Sequence, residues 1–236
     1  MFLEIKNLHV QANGKEILNG LNLKIGRGET RALLGPNASG KTSLSQIIAG
    51  NPKYKITSGK IIFQDKDITN LSPEERVKLG IVLVWQSPPN IKGVKLSTLL
   101  EKISKVKNIH LEEAEPLLNR EINLDFSGGE KKISELLQVL SLKPKLVIFD
   151  EIDSGLDIKR LEKTAKIIKE KLIKENVSIL IITHWGEVLN FLKPDSTNVL
   201  VDGKIICQEK DFKKVLKTIK KYGFAKCKEC PFLAGR

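Results

Sequence analysis

The N-terminal part of the chain alternates hydrophobic and polar residues with a period of two. The alternation runs through residues 2–10 (FLEIKNLHV) and 17–25 (ILNGLNLKI), and between them lies Asn13-Gly14, a dipeptide typical of tight hairpin turns. Because the side chains of a strand point alternately to its two faces, each segment predicts a strand with one covered face. Residues 59–64 (GKIIFQ) indicate a further strand. The start of the chain is therefore predicted to form an antiparallel β unit.

Further along, the hydrophobic residues are collected into short continuous runs. Apolar runs end or fill residues 29–34, 81–85, 146–149 and 179–183. Runs of this kind predict strands that are covered on both faces, as in an α/β sheet. Residues 198–202 and 204–207, on either side of Asp202-Gly203, predict a hairpin.

Helices are predicted between these strands. They span residues 42–49, 72–79, 96–118, 130–142, 158–175 and 211–221. The second of them has a well-marked start, because Ser72 can cap it, Pro73 suits its first position and Glu75 can complete a capping box. The mixture of strands and helices predicts an α/β fold with a helical insert around residues 88–142.

Length, charge and cysteine content narrow the class of protein. The chain has 236 residues, enough for a full core, and 40 Lys and Arg against 28 Asp and Glu give a net charge of +12. The basic residues are spread and not interleaved with aromatics, which favours a solvated surface over a nucleic-acid interface. No apolar run approaches the roughly 18 residues of a membrane span, and the N-terminus lacks the layout of a signal peptide. Three cysteines do not make a disulfide framework. We therefore expect a cytoplasmic protein with no nucleic-acid partner and no direct membrane insertion.

A glycine-rich turn joins the strand at residues 29–34 to the helix that follows. Residues 35–42 (GPNASGKT) satisfy the pattern G-x-x-x-x-G-K-[ST] of a phosphate-binding P-loop. In such a loop backbone N–H groups surround the phosphates, Lys41 reaches the β- and γ-phosphates, and the Thr42 hydroxyl binds Mg²⁺. The predicted nucleotide-binding residues here are Gly35, Pro36, Asn37, Ala38, Ser39, Gly40, Lys41, Thr42 and Ser43.

A second phosphate-binding element and two carboxylates lie within residues 126–157. Ser127-Gly128-Gly129 leaves an open backbone at the start of the helix predicted for residues 130–142, and the unpaired N–H groups of a helix N-terminus suit a phosphate. Asp150 and Glu151 follow a buried strand, at the carboxyl end where α/β sheets place their ligands. Asp150 is therefore predicted to hold Mg²⁺, and Glu151 to orient or deprotonate a water.

Together with the P-loop, four further segments resemble motifs of the ABC-type ATPases. Residues 126–130 (FSGGE) resemble their signature sequence, and Gln86 lies where that family has its Q-loop. Residues 154–157 (SGLD) resemble the D-loop, and Thr183-His184 resembles the H-loop. The motifs occur in the order that the family has.

The resemblance implies roles for individual residues. Thr42, Gln86 and Asp150 would bind Mg²⁺, while Glu151 and His184 would act on the attacking water and the γ-phosphate of ATP. Each ATP would lie between the P-loop of one copy and Ser127, Gly128 and Gly129 of another, in an ATP-dependent head-to-tail homodimer. Asp157 would contact the other subunit, cap the helix that follows it, or do both.

The resemblance also implies a domain organisation. Residues 1–222 would form one ABC ATPase domain of the α/β class, with a RecA-like P-loop core and an N-terminal antiparallel β subdomain. A helical subdomain would be inserted at about residues 88–142, and residues 223–236 would form a tail. Gln86 and Ser127 are 41 positions apart, which is shorter than usual in the family and implies a trimmed helical subdomain.

A finer resemblance is to the SufC family, the soluble ABC ATPases of iron–sulfur cluster assembly. It rests on residues 86–94 (QSPPNIKGV), on residues 126–138 (FSGGEKKISELLQ) and on the segment from Thr183-His184-Trp185 to Pro194-Asp195. It implies a Suf scaffold protein of the SufB or SufD kind as partner, in contact with Gln86–Val94. The alternative is the ATP-binding subunit of an ABC membrane transporter, which shares the catalytic motifs.

Two features have more than one interpretation. Cys227 and Cys230 form a Cys-x-x-Cys that either contributes two ligands to a metal site or belongs to a loose, reduced tail. Lys131 and Lys132 either hold Glu151 in an ion pair until a partner binds or lie on a solvated face.

Overall fold

The mixed α/β fold is described by a computed structural model for residues 1–106, 111–184, 186–224 and 227. Its strands are β1 (Leu3–Ala12), β2 (Lys15–Ile25), β3 (Thr30–Leu34), β4 (Lys55–Phe63), β5 (Lys66–Asp67), β6 (Ile81–Val84), β7 (Ile91–Lys95), β8 (Glu121–Ile122), β9 (Leu146–Asp150), β10 (Ser178–Ile182), β11 (Ser196–Val201) and β12 (Lys204–Glu209). Its α-helices are α1 (Lys41–Ile48), α2 (Pro73–Leu79), α3 (Leu96–Ile103), α4 (Gly128–Ser141), α5 (Ile158–Ile168), α6 (Glu187–Leu192) and α7 (Phe212–Tyr222). The predicted α/β fold class is confirmed.

The N-terminal segment forms an antiparallel sheet in the order β2-β1-β4-β5. The buried side chains of β1 are Leu3, Ile5, Leu8 and Val10, and the residues between them are partly or fully exposed. The connection at Asn13-Gly14 has φ angles of 51° and 74°, the left-handed geometry that a two-residue hairpin turn requires. The predicted hairpin is confirmed, and β4 extends further toward its N-terminus than predicted.

The central sheet has the order β12-β11-β3-β10-β9-β6. β11, β3, β10, β9 and β6 run parallel, and β12 pairs antiparallel with β11. Every residue of β3, β9 and β10 is buried, as the apolar runs predicted. Because these strands are parallel, their carboxyl ends meet at one edge of the sheet.

Two hydrophobic clusters cover the central sheet. One includes Leu44 and Ile48 of α1 together with the covered face of the N-terminal sheet. The other includes Leu136 of α4, Leu161 of α5 and Leu189 of α6. A fully buried Leu or Ile side chain contributes about 1.5–3 kcal/mol, so packing on both faces holds the strands and their terminal loops in fixed positions.

The helix predicted for residues 96–118 is wrong in its extent. α3 ends at Ile103, because Ser104 is extended and the Lys105 N–H bonds to Ser141 O of α4 instead of continuing the helix. Residues 107–110 lie outside the described part of the chain. Glu112–Leu117 forms a 3₁₀ helix that contains Pro116, a residue with no N–H for an α-helical bond. β7 and β8 pair antiparallel in a small sheet that was not predicted.

Two other helical segments bear on the predictions. α5 continues into a π-helical segment, Lys169–Ile173, so the predicted long helix is confirmed with a local change of hydrogen bonding. α6 was missed, since its six residues make less than two turns and show no clear periodicity. In the ranges that the structure describes, no helix has the length and hydrophobicity needed to cross a membrane.

The C-terminal Cys-x-x-Cys lies at the limit of the described residues. Cys227 is buried at 3% exposure. Cys230 lies outside the described residues, so neither interpretation of the motif is tested.

Candidate active site

The predicted chemical residues meet at the carboxyl edge of the central sheet. The P-loop follows β3, Gln86 lies two residues beyond β6, Glu151 follows β9, and His184 lies two residues beyond β10. Because β3, β10, β9 and β6 are neighbours in the sheet in this order, residues far apart in sequence come together. This edge is where ligands bind in open α/β sheets.

The P-loop backbone adopts conformations that its glycines permit. Gly40 has φ 105°, and a Cβ at Gly35 would lie 2.3 Å from the carbonyl oxygen of Leu200, closer than atoms can approach. Ala38 also has positive φ, at 61°. The loop leads directly into α1, whose free N-terminal N–H groups and dipole favour an anion.

Lys41 is folded under the loop. Its Nζ donates to the carbonyl oxygens of Gly35 and Pro36, both at 2.8 Å, and the residue is 5% exposed. Burial lowers the pKa of Lys41, although the charges of Glu151 and Asp150 act in the opposite direction. An ammonium group has three protons to donate, so Lys41 can keep contact with the loop and still reach a phosphate.

Asp150 lies where a divalent cation would bind between α1 and β9. Its Oδ1 accepts from Thr42 Oγ1 at 3.3 Å and its Oδ2 from Ser45 Oγ at 2.8 Å. Burial raises the pKa of Asp150, and the neighbouring Glu151 charge adds to the effect. A nearby cation would relieve this cost of burying a carboxylate.

The oxygen atoms of Thr42, Asp150 and Gln86 are hard ligands of the kind that Mg²⁺ prefers, so this donor set fits the ion. When bound with ATP, Mg²⁺ neutralises part of the phosphate charge. Ser45 was not predicted as a site residue. Its position one turn beyond Lys41 on α1 faces β9, and only the fold shows this.

Replacing Ser45 with alanine is expected to raise the Mg²⁺ concentration for half-maximal ATP hydrolysis by about 5- to 20-fold, because one charge-assisted hydrogen bond that orients Asp150 is lost. Titration of ATPase activity with Mg²⁺ at saturating ATP measures the shift. Ser141→Ala is the matched control, since Ser141 is also a buried helical serine, with its Oγ bonded to Leu137 O and not to Asp150. Equal shifts in the two variants would contradict the role of Ser45.

Glu151 occupies an unusual backbone position at the end of β9. It has φ 53°, a conformation that costs a non-glycine residue about 1–2 kcal/mol. Its N–H donates to Ile182 O at 2.9 Å, a bond to the neighbouring strand that holds it there. The carboxylate accepts a 2.5 Å hydrogen bond from Gln86 Nε2. Strain at this point, held by the surrounding sheet, is typical of a functional residue.

The suggested ion pair between Lys132 and Glu151 is not formed. Lys132 Nζ instead lies 3.2 Å from Glu135 Oε2. Lys132 is also buried, at 4% exposure, so the interpretation of it as a solvated residue is wrong. The sequence pattern of α4 gave no indication of the Glu135 contact, because both residues belong to a charged stretch that resembles a helix surface.

His184 lies beside the P-loop. Its Nδ1 is 3.4 Å from the carbonyl oxygen of Gly35, and the proton on that contact depends on the tautomer. The preceding Thr183 donates to Asp153 Oδ2 at 2.5 Å and accepts from the Gly186 N–H at 2.9 Å. Burial raises the pKa of Asp153. These bonds fix the strand end that carries His184, and Asp153 was not predicted to take part. Trp185 lies outside the described residues.

The signature segment forms a second group of predicted residues. Ser127 caps α4: its Oγ accepts from the Glu130 N–H at 3.3 Å, while its own N–H donates to Glu130 at 2.7 Å. A Cβ on Gly128 would lie 3.5 Å from Gly155 O, and one on Gly129 would lie 3.1 Å from Arg160.

Asp157 belongs to this second group. It caps α5 by accepting from the Arg160 N–H at 3.0 Å, so the predicted capping role is confirmed. Within one chain, therefore, residues 127–129 contact the D-loop segment and the start of α5. The contacts of Gly128, Gly129 and Asp157 described here join them to each other's neighbourhood and not to the P-loop.

Comparison with known proteins points in one direction. Residues 18–154 match the sequence profile described as ABC transporter. A probable ATP-dependent transporter, ycf16 of Cyanophora paradoxa, is 42% identical over 225 residues, which cover 86% of this chain and 86% of the relative. A nucleotide-free ATP-binding cassette from an ABC transporter has a TM-score of 0.79 at 23% identity, with 96% of this chain and 98% of the other covered. A dimeric bacterial ABC transporter cassette has a TM-score of 0.72 at 22% identity, with coverages of 89% and 98%.

Proposed function

The chain belongs to the ABC transporter family of ATP-binding cassettes, and on that premise we propose that it is the ATPase subunit of a Suf iron–sulfur cluster assembly machine. As a member of this family it binds and hydrolyses ATP with Mg²⁺. The single observation that carries the catalytic assignment is the contact of Gln86 with Glu151 at the same sheet edge as Lys41 and Asp150.

The proposed catalytic roles follow from this geometry. The P-loop and Lys41 hold the phosphates, Thr42, Asp150 and Gln86 hold Mg²⁺, and Glu151 accepts a proton from the attacking water. His184 contacts the γ-phosphate. Residues 1–222 act as one ATPase domain with a helical subdomain at about residues 88–142, followed by a tail.

An ATP-dependent homodimer is part of the proposal. The second group of residues, around Ser127 and Asp157, supports it, because the helix N-terminus at residues 127–129 suits a phosphate and its contacts within the chain are to the D-loop segment. A head-to-tail arrangement would bring this terminus to the P-loop of a second copy.

The Suf assignment is supported by the surface around the Q-loop. A groove of about 260 Å³ is lined by Trp85, Pro88, Pro89, Ile91 and Asn123, among others. Trp85 is 44% exposed and Ile91 39% exposed, so two large hydrophobic side chains meet solvent within one short segment. Asn123 Oδ1 is buried and has no hydrogen-bond partner among the described residues. A protein surface with apolar side chains and one donor group is complementary to this groove.

The groove supports a protein partner, and the choice of a Suf scaffold rests on the SufC-like segments. The best-matched segments are residues 86–94 and the Glu130-Lys131-Lys132 continuation of the signature. We propose that the scaffold, a SufB- or SufD-like protein, contacts Gln86–Val94 in the cytoplasm. The alternative partner is a membrane subunit, and the printed description of the ycf16 relative as an ATP-dependent transporter favours it.

Capture of the natural partner separates the two functions. Tagged Glu151→Gln protein, with ATP and Mg²⁺, is recovered from cells of the source organism, and its partners are identified. A SufB- or SufD-like protein in the fraction without detergent supports the Suf role. Recovery of only a multi-span membrane subunit, dependent on detergent, would make the chain a transporter ATPase and leave the catalytic assignment intact.

A charge in the groove is expected to abolish scaffold binding. Ile91→Arg places an unpaired guanidinium against an apolar contact, and we expect its affinity for a purified SufB/SufD-like scaffold to fall by about 100-fold or more. Titration calorimetry measures the change. Tyr222→Arg is the matched control, because Tyr222 is an exposed aromatic residue at the end of α7, outside the groove. Equal affinities of the two variants would contradict the proposed surface.

A further inference from the structure

A buried ion pair on α4 holds the backbone that carries Gln86. Lys132 and Glu135 lie one turn apart, with side chains 5% and 8% exposed and a distance of 3.2 Å between Nζ and Oε2. Lys132 Nζ also donates to the carbonyl oxygens of Trp85 at 2.9 Å and Gln86 at 3.4 Å. The Trp85 N–H donates to Glu135 Oε1 at 3.2 Å. Together the two side chains engage both the donor and the acceptors of this short backbone segment.

Stability alone gives little reason for such a pair. Removing two charges from water costs about as much as their attraction returns, and apolar side chains of similar volume often serve as well. The surrounding positions of α4, such as Leu136 and Val139, are apolar and buried. Burial raises the pKa of Glu135, although the Lys132 charge opposes the effect. What the pair provides and apolar residues cannot is a set of directed hydrogen bonds to the Q-loop backbone.

The pair lies on a continuous path between two parts of the proposed ATPase mechanism. α4 begins with the Ser127 cap, and Lys132 and Glu135 follow within roughly two helical turns. On the other side, the backbone that they hold belongs to Gln86, whose amide donates to Glu151. A shift of the helix at its Ser127 end therefore moves two groups that are bonded to the Q-loop.

We propose that Lys132 and Glu135 are positioning residues for ATP hydrolysis. They fix the Gln86 amide against Glu151, and they connect the helix end that binds the ATP of the second subunit to the hydrolytic residues of their own. This inference rests on the proposed roles of Gln86 and Glu151 and of the head-to-tail dimer. It adds Lys132 and Glu135, which contact neither nucleotide nor water in this arrangement but act through Gln86.

The test replaces the pair by apolar side chains of similar size. Lys132→Met/Glu135→Leu removes both charges together, so no unpaired charge is left in the interior, and we expect its melting temperature to stay within about 5 °C of the wild type. Its kcat is expected to fall by about 10-fold or more, because the Q-loop backbone loses its three hydrogen bonds. Its Kd for ATP, measured without hydrolysis, should change by less than about 3-fold, since the P-loop is untouched. Lys131→Met, on the same helix, is the control and should keep the wild-type kcat.

A double-mutant cycle with Gln86→Ala distinguishes positioning from general damage. If the pair acts through Gln86, adding Gln86→Ala to the pair variant lowers kcat by less than about 2-fold, although Gln86→Ala alone lowers it by about 10-fold. Multiplying losses, or a pair variant with wild-type kcat, would overturn the inference. A fully active Gln86→Ala protein would overturn the proposed role of Gln86, and the pair proposal with it. Should the pair variant not fold, Glu135→Gln, which keeps the shape and an acceptor for the Trp85 N–H, carries the same cycle with an expected loss of about 3-fold.

Discussion

Glu151→Gln is expected to lower the rate of ATP hydrolysis by about 100-fold or more while leaving ATP binding within a few-fold of the wild type. Glutamine has nearly the shape of glutamate, and its side-chain oxygen can still accept the hydrogen bond from Gln86 Nε2. It cannot accept a proton from water. The strained backbone at residue 151 is set by the sheet bond to Ile182 O, which the substitution leaves in place. The loss therefore falls on the chemical step.

Single-turnover hydrolysis of labelled ATP measures the effect, because it reports chemistry without product release. Glu162→Gln is the control, as Glu162 is exposed on α5 and bonded to no residue of the site in the contacts described above. Hydrolysis by Glu151→Gln at more than about a tenth of the wild-type rate would show that another group accepts the proton.

The same variant tests the homodimer. With ATP and Mg²⁺ bound but not hydrolysed, two copies should stay together, so a tagged copy should retain an untagged one. With ADP the untagged copy should be lost. Co-purification that is independent of the nucleotide would contradict an ATP-dependent dimer.

The catalytic edge could be predicted because its signals are local in sequence. The run that ends at Phe149 indicates a buried strand without reference to the rest of the chain, and so does the run that ends at Thr183. The P-loop pattern then follows a third such strand. Once these strands are parallel, Asp150 and His184 must emerge at the same edge. The prediction needed no knowledge of the sheet order.

The residues that support this edge could not be predicted in the same way. Lys132 contacts Gln86 across 46 positions, and Arg76 contacts Ile47 across 29. Both belong to stretches rich in charged residues, which are typical of solvated helix faces. Only the packing of the helices decides which charge is buried, and this packing depends on the whole chain. The end of α3 was missed for a related reason, since the bond from Lys105 to Ser141 is also a long-range contact.

Arg76→Met is expected to have the largest effect on stability, lowering the free energy of unfolding by about 3–5 kcal/mol. Arg76 is 2% exposed, and its guanidinium donates to four backbone carbonyl groups and to no carboxylate in the bonds that the structure records. These carbonyls belong to Ile47, Ile48, Thr69 and Leu71, at 2.8–3.0 Å. Methionine fills part of the volume but supplies no donor, so buried acceptors are left without partners.

Two of those carbonyls, of Ile47 and Ile48, lie in the last turn of α1, where helical carbonyls have no partner within the helix. A cation there also interacts favourably with the helix dipole. Burial lowers the pKa of Arg76 to about 10, which still leaves it protonated at neutral pH. Gly50 provides the space, since a Cβ there would lie 2.9 Å from the Arg76 Nε. Arg76 thus ties α2 to the far end of the helix that carries Lys41.

Urea unfolding at neutral pH measures the loss, which corresponds to a fall in melting temperature of about 10 °C for a chain of this size. Lys78→Met is the matched control, because Lys78 is an exposed basic residue of the same helix and its replacement should change stability by less than about 0.5 kcal/mol. Arg76→Lys should recover only a small part of the loss, since an ammonium has three donors at one point and cannot reach carbonyls arranged around a planar guanidinium. Equal stability of Arg76→Met and Lys78→Met would mean that the four carbonyl groups find other partners, and that the anchor at the end of α1 is not needed.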